Sequence, residues 1–130
     1  MEIPKQIENE IKKDKSIIAV ILFGSYARKE YYRDIDICLV LDKKYPSKEM
    51  TDKLIIYSGK SPDKYDIKIF QLLPLYIRKR ILEEGKVLLC KNEDLLYEIA
   101  FQTIKEFEFY KKTYYNYLKS IEEEYEKRNR

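Results

Sequence analysis

At 130 residues, with 45% hydrophobic and 14% aromatic residues but only three Gly and four Pro, the chain has the size of one globular domain and excludes disordered and collagen-like classes. The absence of histidine excludes Ser-His-Asp and Cys-His nucleophilic systems and His-ligated zinc, leaving carboxylates, hydroxyls, Lys, Arg or a bound metal for any chemistry. The net charge of +3 divides into +5 over residues 1–92 and −2 over residues 93–130, a front end that suits a phosphate-bearing ligand but is too weakly basic for a long nucleic-acid track.

Along the chain, Ile3, Ile7 and Ile11 recur every fourth residue and predict an amphipathic helix ending near Asp14. Ile17–Phe23 is a continuous, largely β-branched apolar run, the pattern of a strand buried on both faces. As the longest such run it is far too short to span a bilayer, and the acidic Glu2, Glu8 and Glu10 do not read as a signal peptide. The expectation is therefore a cytoplasmic protein with no membrane attachment. Gly24-Ser25 ends the strand, and Tyr26 to Tyr32 predict a short helix with Ser25 as N-cap. A second strand is expected over Asp34–Leu41, then a helix from Pro46 to about Tyr57 that Gly59 and Pro62 break. Alternation predicts a third strand over Tyr65–Leu72. A helix over Leu73–Glu84, stopped by Gly85 at the C′ position, and a short strand over Lys86–Cys90 follow.

From Glu93 to about Lys127 there is no Gly or Pro, and apolar residues lie near one stripe at helical spacing: one long helix, or two with a soft break. The order implies an α/β (α+β) fold: a mixed sheet of about four strands, helices packed against it, and a C-terminal helical extension over residues 93–130 following a domain over residues 1–92. A helix about 50 Å long exceeds what such a domain can cover, so part of its stripe is expected to be free for self-association or a helical partner. Cys38 and Cys90, each in an apolar stretch, read as buried thiols rather than a disulfide.

Chemistry concentrates between Ile17 and Val40. Gly24 lacks a Cβ, so a phosphate can approach the backbone, while the Ser25 hydroxyl and the free N–H groups of a helix start would form an anion site. In Asp34-Ile35-Asp36 the two-residue period of a strand sends both carboxylates to one face. Paired carboxylates repel unless a cation lies between them, and oxygen-only ligation of that kind selects Mg²⁺ or Mn²⁺. Asp66, near the start of the third strand, could join them, help hold a second ion and accept the proton of an attacking hydroxyl. Lys68 shares its face and is a candidate phosphate contact.

Taken together, Gly24-Ser25, Tyr26-Ala27-Arg28, Asp34-Ile35-Asp36 and Asp66 resemble the signature of the DNA polymerase β-type nucleotidyltransferase superfamily, and within it the minimal nucleotidyltransferases of prokaryotes. The likeness continues through the Pro-containing segment and strand of Leu72–Cys90 and covers about residues 16–92. The loop from Tyr26 to Arg33 is shorter than usual in that family, with Lys29 where Gly is common and Arg33 in place of a frequent Ser. The resemblance implies a polymerase β-like domain that binds ATP with two Mg²⁺ on Asp34, Asp36 and Asp66, Gly24 and Ser25 holding the phosphates and Arg28 a further contact. The Tyr-rich C-terminal helix is similar to the tail of minimal nucleotidyltransferases that act as antitoxins of HEPN-domain toxins, which implies AMP transfer to a toxin tyrosine. Transfer to a small molecule or an RNA 3′ end, and a non-catalytic toxin-binding module, are the rival readings.

Overall fold

A computed structural model describes residues 3–24 and 34–129. The expected helix over Tyr26–Tyr32, with Ser25 and Arg28, lies outside the described residues. Helix α1 (Lys5–Lys13) buries Ile7 and Ile11 and places Lys12 and Lys13 in its last turn, where positive charge complements the helix dipole. Strands β1 (Ile17–Phe23) and β2 (Ile35–Leu41) follow, then α2 (Ser47–Lys60), β3 (Tyr65–Ile69), a 3₁₀ turn at Phe70–Leu72, α3 (Leu75–Glu84), β4 (Lys86–Cys90) and α4 (Glu93–Arg128).

The four strands form one mixed sheet in the order β3-β2-β1-β4, with β1 antiparallel to both β2 and β4 and β2 parallel to β3. Both faces are covered, which is why β1 is apolar throughout and β2 is apolar apart from Asp36, rather than alternating. On one face Val20, Leu22, Ile37 and Leu39 pack with Ile7 and Ile11 of α1 and Met50 and Tyr57 of α2. On the other, Ile18, Ala19, Ile21, Cys38 and Val40 pack with Phe70, with Ile81 of α3 and with Leu95, Leu96 and Ile99 of α4. An irregularity between Ile17 and Ala19 shifts the pairing, so Ile17 joins the even-numbered Val20 and Leu22 on one face. Burial raises the Cys38 thiol pKa well above its ordinary value, and both cysteines are free.

The link after α1 is tied down at Asp14. Its carboxylate accepts hydrogen bonds from the Ser16 hydroxyl at 2.7 Å, from Tyr57 at 3.0 Å and from Lys53, while Lys91 donates to the Asp14 carbonyl at 2.9 Å. Burial alone would raise the Asp14 pKa, but those hydrogen bonds outweigh it and hold the carboxyl below its usual range.

Several expected boundaries move, each for a local reason. Strand β2 starts at Ile35 and leaves Asp34 in a bend just before it. Strand β3 stops at Ile69 rather than Leu72, because the Gln71 side chain turns back onto β2: its Nε2 donates to the Leu41 carbonyl at 2.9 Å and its Oε1 accepts from the Leu41 N–H at 3.1 Å. The following helix begins at Leu75 instead of Leu73, since Pro74 holds Leu73 extended at φ −85°, ψ 151°. Helix α2 passes through Gly59 to Lys60 rather than ending near Tyr57, and Pro62 stops it two residues on. Gly85 is not a left-handed C′ residue; its φ is −73°, and glycine is required because a Cβ would lie 2.5 Å from both Ile21 Cγ2 and the Ile81 carbonyl.

Helix α4 is one unbroken helix of 36 residues, opened by Asn92, whose side chain accepts from the Leu95 N–H at 3.0 Å. Its first three turns lie on the sheet as far as the buried Thr103; every residue from Glu108 to Asn129 is exposed. No helix among the described residues is long and apolar enough to cross a membrane.

Candidate active site

The site forms where β1 ends and β2 and β3 begin. Gly24, directly after β1, has φ +77°, a left-handed conformation that glycine adopts without strain, and a Cβ there would fall 2.1 Å from Asp36 Oδ2. Conformation and space both demand glycine, and the backbone is left open on the side facing the carboxylate. Asp36 sits on β2 opposite Phe23 of β1 and opposite Asp66 of β3, so the parallel register itself sets the two carboxylates side by side.

The electrostatics follow from this crowding. Burial, then the negative charges of Asp66 and Asp34 and a hydrogen bond with Asp66, push the Asp36 pKa up to about 6, with Lys68 pulling the other way. Lys68 lies 3.5 Å from Asp66, and the strand period sets it on the same side of β3. Of the expected residues, the fold brings Gly24, Asp36, Asp66 and Lys68 together and keeps the exposed Asp34 at the rim, close enough to act on Asp36. Among the described residues no three acidic or thiol groups are gathered tightly enough to form a metal cage. The donor set nevertheless fits a hard divalent cation: it is all carboxylate oxygen, and its negative charge is under-compensated at Asp36.

Beside Gly24 and Asp36 opens a cleft of about 310 Å³, walled by Phe23 and by Ile77, Arg80, Ile81 and Glu84 of α3.

Residues 5–94 match the family described as Polymerase beta, Nucleotidyltransferase. The chain belongs to this nucleotidyltransferase family. It is 43% identical over 75 residues to a Methanocaldococcus jannaschii protein named as a protein adenylyltransferase, MJ1547, the match covering 55% of each chain. A second relative so named in that organism, MJ0141, is 39% identical over 75 residues, or 52% of this chain and 76% of the other. The chain thus spans about half the length of MJ1547. Among solved structures, a toxin-antitoxin with AMP-PNP superposes with a TM-score of 0.62 at 17% identity, covering 89% of this chain and 95% of that one. A tri-AMPylated Shewanella oneidensis HEPN toxin in complex with MNT antitoxin gives 0.56 at 18% identity, covering 88% and 94%. At such identities the agreement is one of fold: a nucleotidyltransferase α+β domain with a four-stranded mixed sheet and a long C-terminal helix.

Arg80 is a charged residue of the cleft wall that sequence reasoning on this nucleotidyltransferase did not single out. Its helix was legible, but only the packing of Ile81 on the sheet shows that Arg80 and Ile77 wall the carboxylate cleft rather than face away. A larger cleft of about 380 Å³ lies at the opposite end of β2, between Lys43, Arg78 and α4; its charges are mixed and it contains none of the three aspartates.

Proposed function

We propose that the chain is a metal-dependent nucleotidyltransferase that moves AMP from ATP to an acceptor hydroxyl, the acceptor being a tyrosine of a HEPN ribonuclease toxin, so that it serves as the antitoxin of the pair. The observation that carries the chemistry is the juxtaposition of a left-handed, Cβ-free Gly24 with the Asp36–Asp66 carboxylate pair. The relatives named as protein adenylyltransferases and the fold shared with toxin-antitoxin structures support the acceptor class.

In this reading Gly24 lets the triphosphate lie against the backbone, with Ser25, Arg28 and Lys68 as further phosphate contacts. Arg80 adds positive charge at the cleft wall. Asp34, Asp36 and Asp66 would hold Mg²⁺ or Mn²⁺, which when bound neutralises charge on the attacking and leaving oxygens. Asp66 accepts the proton as the acceptor O–H bond breaks; the new bond forms to the α-phosphorus and pyrophosphate leaves.

The test is mass spectrometry of a co-encoded all-helical HEPN protein after incubation with this chain, ATP and Mg²⁺. One or more AMP additions on tyrosine are expected, abolished by Asp36→Asn and strongly reduced by Gly24→Val, whose Cβ would collide with Asp36. Full transfer by Asp36→Asn would falsify the assignment of the carboxylates.

A further inference from the structure

The distal half of α4 runs free of the domain for about 28 Å at 1.5 Å per residue and displays one apolar stripe: Tyr110, Tyr114, Tyr117, Leu118, Ile121 and Tyr125, each between 46% and 67% exposed. Within it the Tyr110 and Tyr114 rings stack 6.1 Å apart. A lone helical segment of this length is marginal in water, and a stripe of this kind is stabilised when a second apolar surface covers it.

We infer that the occupant is a second copy of the same chain, paired antiparallel through this stripe about a two-fold axis beside Tyr117. The stripe is close to palindromic about that point: Tyr110 comes opposite Tyr125 of the second copy, Tyr114 opposite Ile121, and Tyr117 opposite Leu118. The charges agree with the same axis. Lys111 and Glu122 are eleven residues apart, three turns, and so lie on the same flank of the stripe. In a two-fold antiparallel pair like flanks meet, so Lys111 faces Glu122 of the second copy, and the symmetry repeats the contact. A parallel arrangement would set Lys111 level with Lys111 and Glu122 with Glu122. Six half-exposed side chains, mostly aromatic, would cover roughly 600 Å² per copy and about 1,200 Å² in all, within the range of specific interfaces.

The experiment is sedimentation velocity on the full chain across its soluble concentration range, with circular dichroism to confirm that each variant keeps its helix. The expected result is a dimer that Lys111→Glu or Glu122→Lys, taken singly, weakens about tenfold or more. The double reversal should restore it, and so should an equimolar mixture of the two single variants, because each then presents the charge its partner lacks. A chain that stays monomeric throughout, including one whose stripe is covered only when a different helical protein is added, overturns the inference. A dimer indifferent to both reversals overturns it as well.

Discussion

Asp36 carries a cost that the rest of the fold sustains. Its folded-state pKa lies near 6, above the ordinary 3.8, because burial and the charges of Asp66 and Asp34 disfavour the ionised form. A carboxyl that binds its proton more tightly when folded stabilises the fold at low pH and loses that contribution as pH rises from about 4 to about 6. Discounted for solvent access to a half-buried group, the loss is about 1 kcal/mol. Asp36→Asn in chelator should therefore be more stable than the parent by about that amount above pH 7, with the difference vanishing toward pH 4. Mg²⁺ should raise the Tm of the parent and leave that of the variant nearly unmoved. A variant less stable than the parent at pH 7.5 in chelator would mean that the Asp36–Asp66 hydrogen bond outweighs the repulsion.

At the scale of elements, Gly59 and Gly85 behave oppositely although sequence patterning treats both as breakers. Gly59 lies inside α2 with nothing within 4 Å of an added Cβ, so Gly59→Ala should stabilise by about 0.5–1 kcal/mol through helix propensity and a less flexible unfolded chain. Gly85 is pressed between Ile21 and the Ile81 carbonyl, so Gly85→Ala must push α3 and β1 apart and should destabilise by about 1–3 kcal/mol. Urea denaturation of the two variants checks both signs at once. Equal effects would show that backbone conformation, not packing, governs Gly85.

For the molecule as a whole, α4 has two roles divided near Thr103. Leu95, Leu96 and Ile99 cover Phe70, Ile81 and the sheet, whereas everything beyond Phe107 is exposed, and the accessible area of 9,276 Å² exceeds the roughly 7,300 Å² expected of a compact chain this size. A chain ended after Phe107 should keep its domain stability within about 1 kcal/mol, while one ended before Glu93 should lose about 3 kcal/mol or fail to fold, because it removes Leu95, Leu96 and Ile99 from the second face of the sheet and leaves only Phe70 and α3 to cover it. Thermal unfolding of the two truncations separates the roles; similar losses in both would place stabilising contacts in the distal half.

Periodicity and punctuation in the sequence were enough to order the described strands and helices and to set Asp66 and Lys68 on one side of their strand, because strand alternation is a local property; Asp34, expected on the strand with Asp36, instead lies in the bend before it. The resemblance built on Gly24-Ser25 and the aspartates led to the nucleotidyltransferase family that residues 5–94 match. Pairing was another matter. That β3 lies parallel to β2 in the register that sets Asp66 against Asp36, that Gln71 ends β3 early by bonding Leu41, that Gly85 answers to Ile21, and that Arg80 walls the cleft all depend on residues distant in the chain. No local pattern encodes such contacts; they arise only when the two faces of the sheet are packed and the neighbours of each side chain are settled together.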